Sequence, residues 1–138
     1  MANRADIRLD GKVALITGAG RGLGAIMAKT FAERGAAVCI NYAKSAKPAM
    51  ATVAEIEKNG GKAIAVQGDV SKPAEIASLF DQAVKHFGQL DIVVNNAGME
   101  AFAKPEEVTE ELWDQVFNIN TRAQFFVGVN ALKYLSSK

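Results

Sequence analysis

The chain has 138 residues, of which 49% are hydrophobic and 22% charged, and its formal net charge is +1. This length and composition fit one globular domain with a buried core and exclude an extensively disordered chain. The near-neutral charge gives no reason to expect nucleic acid or an anionic membrane as a partner. One cysteine, Cys39, cannot form an internal disulfide, and no apolar run approaches membrane-spanning length. We therefore expect a soluble, cytoplasmic protein.

Strand-like and helical patterns alternate along the chain after a tail over residues 1–11, and we interpret residues 12–138 as one domain. The predicted strands are Lys12–Thr17, Ala37–Asn41, Ala63–Gln67 and Leu90–Asn95, all apolar on both faces as buried parallel strands are. Helical patterns cover about 22–34, 48–58, 73–87 and, longest, 109–135, with Ser71 and Thr109 as predicted N-caps. This alternation predicts an α/β fold, a Rossmann-like doubly wound parallel sheet with strand order 3-2-1-4.

A glycine-rich segment, Thr17–Gly24, joins the first strand to the first helix. Glycines allow a sharp turn and a close approach of the backbone to a diphosphate. The free amides and the positive dipole end of the following helix then face the anion. Leu23 occupies the place of the third glycine in the commonest dinucleotide fingerprint, so a glycine-rich turn without a ligand is the alternative interpretation.

Two further segments follow strands whose carboxyl ends meet this turn. The fourth strand ends in Asn95–Gly98 and the third in Gly68-Asp69-Val70. Since the sheet order reverses between the first and fourth strands, a ligand is expected beyond their carboxyl ends. Small residues there permit close approach, the asparagine amides are suited to tie neighbouring loops together, and Asp69 is placed to accept a hydrogen bond from an adenine amino group.

These segments, together with Asn118–Arg122, give the chain a family likeness. From about Asp10 onwards it resembles the amino-terminal half of a short-chain dehydrogenase/reductase. Within that family it is most similar to fungal reductases acting on hydroxynaphthalene and steroid-type carbonyls, because of Asn41–Ser45 and Asn120–Phe126. The resemblance implies hydride transfer between a nicotinamide dinucleotide and a small-molecule carbonyl or secondary alcohol. It also implies a homo-oligomer that packs through the helix at 109–135.

The end of the second strand indicates which dinucleotide is bound. NAD-specific folds of this type hold the ribose 2′-hydroxyl with an acidic residue about twenty positions past the glycines. The segment Asn41–Ser45 has no carboxylate, whereas Arg21, Lys44 and Ser45 offer cations and donors suited to a 2′-phosphate. We therefore predict NADP rather than NAD. The predicted cofactor-binding residues are Gly18, Arg21, Gly22, Leu23, Gly24, Asn41, Tyr42, Ser45, Asp69, Val70, Asn95, Ala97 and Gly98.

The resemblance assigns only one catalytic residue to this chain. Asn120 matches the asparagine that the family uses to fix a water in its proton relay. The family's catalytic serine and Tyr-x-x-x-Lys pair are expected after the long helix, so we expect a domain truncated before its fifth strand. Tyr134 and Lys138 have the right spacing, but they lie roughly 20 Å along the same helix from Asn120, so we do not assign them to catalysis.

Two classes of function remain open at this stage, and neither involves a metal. The first is an NADP-dependent oxidoreductase whose cofactor-binding half is this chain. The second is a non-catalytic NADP-binding module or pseudoenzyme. The only histidine, His86, has no cysteine or carboxylate cluster beside it, so no metal site is predicted.

Overall fold

The computed structural model describes residues 7–135, and within them a four-stranded parallel sheet forms the centre of the molecule. Its strands are β1 (Val13–Ile16), β2 (Ala37–Tyr42), β3 (Lys62–Gln67) and β4 (Ile92–Val94). Their order is β3-β2-β1-β4, with β1 between β2 and β4. The predicted fold class and strand order are confirmed.

Helices cover both faces of this sheet. They are α1 (Gly22–Glu33), α2 (Ala46–Lys58), α3 (Pro73–Phe87), α4 (Glu110–Phe117) and α5 (Ala123–Tyr134). Apolar side chains of α1 and α2 pack with Ile16 and Ile40 on one face of the sheet. Side chains of α3 and α5 pack with Leu15 and Cys39 on the other. Each central strand is therefore buried on both sides, which accounts for the continuous apolar runs of β1 and β2.

The long helix predicted at 109–135 is interrupted. A π-helical turn over Asn118–Arg122 separates α4 from α5, so the predicted helix is present but contains an irregular turn that its pattern did not indicate. Such a turn carries one more residue than an α-helical turn and commonly marks a functional position. Thr109 caps α4 as expected, since its hydroxyl accepts a hydrogen bond from Leu112 N–H.

Three other predictions differ from the structure in detail. The residue that caps α3 is Lys72 rather than Ser71, because the Ser71 hydroxyl is engaged by Asp69 instead. Strand β4 is shorter than predicted and only half-buried, since β1 is its one strand neighbour among residues 7–135. A short 3₁₀ turn, Pro105–Glu107, lies in the connection from β4 to α4.

The structure bears on the state of the single cysteine and on the length of the helices. Cys39 is completely buried in the core, and desolvation raises the pKa of its thiol to about 12, so it behaves as a small apolar side chain. Within residues 7–135, every helix falls short of the length and apolar character that crossing a bilayer requires.

Candidate functional site

The glycine turn after β1 is packed directly against the end of β4. Gly18 has a φ of 62°, and a Cβ atom there would lie 2.7 Å from the Cα atom of Ala97. A Cβ at Gly24 would lie 2.6 Å from Asn96 Nδ2. The close contact between the turn and the end of β4 therefore requires glycine at both positions, whether or not a ligand is bound.

The first turn of α1 has the properties of an anion site. Its N-cap residue, Arg21, is extended and makes no side-chain capping hydrogen bond, and the first turn carries no acidic residue. The backbone N–H groups that begin the helix therefore point outwards without a side-chain acceptor. Together with the helix dipole, they form an electropositive surface suited to a diphosphate.

Thr17 and Asn96 join the ends of β1 and β4 through a group of hydrogen bonds. Thr17 Oγ1 donates to Val94 O (3.3 Å) and accepts from the N–H groups of Asn96 and Ala97, both at 3.0 Å. Asn96 Nδ2 donates to the carbonyl oxygens of Thr17 (3.0 Å) and Gly18 (3.1 Å). The expectation that an asparagine amide here ties neighbouring loops together is confirmed.

Asn41 connects the glycine turn to the end of β3. Its side chain is 2% exposed, Oδ1 accepts from Gly18 N–H at 3.1 Å, and Nδ2 donates to Gly68 O at 2.9 Å. Because the amide is committed to these backbone groups, its role at the site is to position the two loops.

Asp69 lies at the same edge of the sheet. Its Oδ1 atom accepts from the backbone N–H (3.0 Å) and the hydroxyl (2.7 Å) of Ser71. Burial alone would raise the pKa of this carboxyl, but the hydrogen bonds from Ser71 and the charges of Lys72 and Lys44 together lower it. Asp69 is therefore held as a carboxylate acceptor beside the cleft.

Asn120 lies in the π-helical turn and faces the segment after β4. Its Oδ1 accepts from Met99 N–H and its Nδ2 donates to Met99 O, both at 2.8 Å. A Cβ atom at Gly98 would lie 3.3 Å from Asn120 Oδ1, so a glycine allows this approach. Asn120 is thus attached to the backbone that borders the cleft.

An open cleft of about 580 Å³ lies between these loops, at the carboxyl ends of the strands and at the reversal of strand order. Most of the predicted cofactor-binding residues line it, namely Gly18, Arg21, Gly22, Asn41, Tyr42, Ser45, Asp69, Val70, Ala97 and Gly98. Leu23, Gly24, Asn95 and Asn120 lie beside it without lining it. Leu23 is 66% exposed on the first turn of α1, and the Asn95 amide donates to Gln124 O.

The charges around the cleft are mostly positive at the end of β2. Arg21, Lys44 and Ser45 line this part, and Asp69 is the only carboxylate among the lining residues. Lys44 contributes to the lowered pKa of Asp69, so the two groups are near neighbours. The segment Asn41–Ser45, where NAD-specific folds carry an acid, contains no carboxylate.

Tyr134 lies at the end of α5 and packs against α3. Its hydroxyl donates to Asp81 Oδ1 at 2.5 Å, and its ring stacks on Phe80 with the centroids 5.5 Å apart. The hydrogen bond to Asp81 raises the pKa of the phenol, the opposite of what a tyrosine acid/base requires. Lys138 lies outside the described residues. Within residues 7–135, no three His, Cys, Asp or Glu side chains are grouped as a metal ion would require.

The fold and this cleft define a dinucleotide-binding α/β protein, and comparison with known proteins identifies its family. The family model of the short chain dehydrogenases matches residues 12–138. The chain therefore belongs to the short-chain dehydrogenase/reductase family of oxidoreductases.

Curated relatives of the chain include two proteins named as reductases. A tetrahydroxynaphthalene reductase of Pestalotiopsis fici is 57% identical over 126 residues, which cover 91% of this chain and 46% of the relative. Elsinochrome reductase 1 of Elsinoe fawcettii is 57% identical over 129 residues, covering 94% and 48%. The chain thus spans about half the length of the curated relatives that it matches.

Solved structures of the family are similar to the whole described fold. A short chain dehydrogenase of Burkholderia cenocepacia in complex with NADP is 42% identical with a TM-score of 0.91, covering 94% of this chain and 53% of that one. A dehydrogenase/reductase of Sinorhizobium meliloti is 40% identical with a TM-score of 0.92, covering 95% and 52%.

Several residues of the site were not among the predicted binding residues, including Asn96, Met99 and Gln124. Asn96 belongs to the segment Asn95–Gly98, but its hydrogen-bond partners, Thr17 and Gly18, are far away in sequence. Met99 contributes only backbone atoms, which leave no signal in the residue type. Gln124 donates to Ala97 O, and the short-range pattern of a helix gives no sign of such a contact.

Proposed function

We propose that this chain is the cofactor-binding part of an NADP-dependent oxidoreductase that transfers hydride between NADP(H) and a carbonyl or secondary alcohol. The observation that carries the proposal is the cleft over the uncapped start of α1, with Arg21, Lys44 and Ser45 at one end and Asn120 beside the other. The end of the cleft with Arg21, Lys44 and Ser45 suits the 2′-phosphate of a phosphorylated dinucleotide. The end beside Asn120 supplies the asparagine that the family uses in its proton relay.

The diphosphate, the adenine and the 2′-phosphate of the cofactor each have matching residues in this proposal. The N–H groups at the start of α1 bind the diphosphate, and Asp69 with the backbone of Val70 receives the adenine. Arg21 and Ser45 contact the 2′-phosphate by charge-assisted hydrogen bonds. The bound cofactor would supply or accept the hydride, while Asn120 would hold a water through which a proton is exchanged.

The substrate class is inferred from the relatives. Both fungal relatives are named as reductases, one of tetrahydroxynaphthalene and one of elsinochrome. We propose a polyhydroxylated aromatic or steroid-like carbonyl compound as the substrate. The exposed apolar side chain of Leu23, next to the glycine turn, is suited to contact a flat ring.

We further propose that the protein associates with a second copy of itself through α4 and α5. Phe125 (67% exposed), Val129 and Leu132 (79% exposed) form an apolar stripe along α5, spaced so that they share one helix face. On α4, Trp113 and Phe117 are exposed and stacked, with ring centroids 4.4 Å apart. Exposed apolar side chains grouped in this way are typical of a protein–protein interface.

The proposal can be tested by titrating NADPH and NADH into the purified chain and recording nicotinamide fluorescence. We expect saturable NADPH binding and weaker NADH binding, but no sustained NADPH oxidation, because the acid/base tyrosine of the family has no counterpart at Tyr134. General acid–base catalysis alone contributes roughly 10²–10⁴-fold. Tyr134-dependent turnover would overturn this assignment, and absence of NADPH binding would overturn the proposed cofactor.

The alternative function is a non-catalytic NADP-binding module. The commitment of Tyr134 to Asp81 and Phe80 favours neither function over the other. Sequencing the transcript past the codon for Lys138 distinguishes them. A continuation that encodes a serine at a strand end and a later Tyr-x-x-x-Lys supports the enzyme, and a stop codon supports the module.

A further inference from the structure

We propose that Gln124 is a positioning residue of the cleft, whose side-chain amide holds the π-helical turn that carries Asn120 against the end of β4. Gln124 is the second residue of α5, one helical turn after Asn120. The inference concerns the geometry of the site and rests on the proposed function only for its effect on NADPH binding.

The hydrogen bonds of Gln124 connect two parts of the site. Its Nε2 atom donates to Ala97 O at 2.7 Å and to Ile119 O at 3.2 Å. Both Ala97 and Ile119 line the cleft, and Ile119 lies inside the π-helical turn, five residues before Gln124. One amide therefore joins the irregular turn of the helix to the backbone that borders the cleft.

The oxygen of the same amide group shows that stability alone does not account for a glutamine here. Gln124 Oε1 is buried and has no hydrogen-bond partner within residues 7–135. A buried acceptor without a donor disfavours folding, and an apolar side chain of similar shape would avoid that penalty. The two hydrogen bonds donated by Nε2 are what an apolar side chain could not provide.

A second bond fixes the backbone of Gln124 to the same loop. Asn95 Nδ2 donates to Gln124 O at 3.3 Å, and Asn120 is bonded at both ends to Met99. The loop after β4 is thus held by the helix at Asn95, Ala97 and Met99 in succession. Gln124 lies outside the π-helical turn, and its side chain donates hydrogen bonds both to the loop and to the turn.

Loss of these donors has a specific geometric consequence. A π-helical turn holds one residue more than an α-helical turn, and each residue of an α-helix turns the chain by about 100°. If the turn relaxes to α-helix, Asn120 rotates away from Met99 by a comparable angle. The interaction with Met99 would then be lost although the core of the domain is unchanged.

Hydrogen exchange of the Met99 amide in the natural full-length protein tests this inference. Gln124→Met removes both donors and the unpartnered acceptor at nearly constant shape, and Gln124→Glu replaces the donor by a carboxylate facing two carbonyl oxygens. We expect exchange at Met99 to be about 2–12-fold faster in both variants, as the loss of one hydrogen bond predicts. Exchange in β2 should be unchanged. The melting temperature of Gln124→Met should change little, because removing the unpartnered acceptor offsets part of the cost of leaving two carbonyl oxygens without a donor.

The matched control is Gln115→Met, on the exposed part of α4, where the side chain makes no hydrogen bond within the described chain. Unaltered Met99 exchange in Gln124→Met would overturn the inference, as would an equal change in Gln115→Met. If Gln124→Glu fails to fold, Gln124→Met decides alone.

A second readout is NADPH binding, measured by nicotinamide fluorescence on the same variants. We expect Gln124→Met to weaken binding by about 2–12-fold and Gln115→Met to leave it unchanged. An unchanged affinity in Gln124→Met would overturn the claimed effect on the cleft. If the wild-type protein does not bind NADPH, the proposed function fails, whereas Met99 exchange still decides the role of Gln124.

Discussion

The side chain of Asn120 and the backbone of Met99 form a closed pair of hydrogen bonds, with each N···O distance 2.8 Å. An amide side chain matches a peptide group in this way because it presents one donor and one acceptor side by side. The segment after β4 is therefore fixed to the π-helical turn at the edge of the proposed cofactor cleft.

The first prediction concerns this pair. Asn120→Leu removes both hydrogen bonds, and we expect the free energy of unfolding to fall by about 1–3 kcal/mol, as the net value of two such bonds. Urea unfolding followed by circular dichroism measures the change. Thr121→Ala, at the exposed neighbouring position, is the control and should stay within about 0.5 kcal/mol. Equal stabilities of Asn120→Leu and the wild type would contradict the prediction.

The second prediction concerns the buried amide of Asn41. Asn41→Leu leaves Gly18 N–H and Gly68 O without their partner, at a cost of about 1–3 kcal/mol for each buried group. We expect a melting temperature lower by several degrees and weaker NADPH binding, because the glycine turn loses its connection to β3. Asn59→Leu, at the exposed end of α2, should change neither quantity. The interpretation fails if both variants behave alike.

Discrimination between the two dinucleotides is the third prediction. Arg21→Ala should weaken NADPH binding by about 10–150-fold, corresponding to one hydrogen bond to a charged group, and NADH binding much less. Lys58→Ala, at the end of α2, serves as the control for a general loss of positive charge. Fluorescence titration of both cofactors measures the ratio. Equal losses for NADPH and NADH would show that Arg21 does not contact the 2′-phosphate.

The fourth prediction follows from the lowered pKa of Asp69. Because the pKa is lower in the folded than in the unfolded protein, the carboxylate stabilises the fold above the unfolded pKa. That stabilisation is lost as the pH falls through the folded pKa, at pH values below about 4. Asp69→Asn should therefore show a weaker dependence of unfolding free energy on pH in this range than the wild type. Parallel acid profiles for Asp69→Asn and the wild type would disprove the coupling.

Self-association of the chain is the fifth prediction. The apolar stripe on α5 and the half-buried edge strand β4 expose groups that favour pairing with a second copy. We expect the purified 138-residue chain to be marginally stable and to associate in a concentration-dependent way in sedimentation experiments. Leu132→Lys should shift it towards monomer, whereas Met50→Lys, at a 55% exposed site on α2, should not. A cooperative monomer over a wide concentration range would show that both surfaces are protected.

The sequence predicted the order of strands and most of the residues around the cleft, for a physical reason. Buried parallel strands and a glycine turn leave strong local signals, such as the apolar runs of β1 and β2 and the segment Thr17–Gly24. Once the order 3-2-1-4 is known, the ends of β1, β3 and β4 must meet. The positions of Asp69 and Ala97 followed directly from that topology.

The irregular features could not be read from local patterns. The π-helical turn is held by Asn120 and Gln124, whose partners are backbone groups about 20–30 residues earlier in the chain. Helix periodicity alone therefore predicted a regular helix through this segment. Ser71 likewise looked like an N-cap, because its competing partner, Asp69, is recognised only from the geometry of the loop.

The hydrogen bonds between Thr17 and the end of β4 also set the order in which the site can form. Thr17 precedes Asn96 and Ala97 by 79 and 80 residues, so it leaves the ribosome long before its partners. At about 5–20 residues per second, this delay is roughly 4–16 s, far longer than the closing of a local turn. Throughout that interval the glycine turn lacks the strand against which it packs. A nascent chain would therefore acquire its nucleotide cleft in one late step, when β4 docks beside β1.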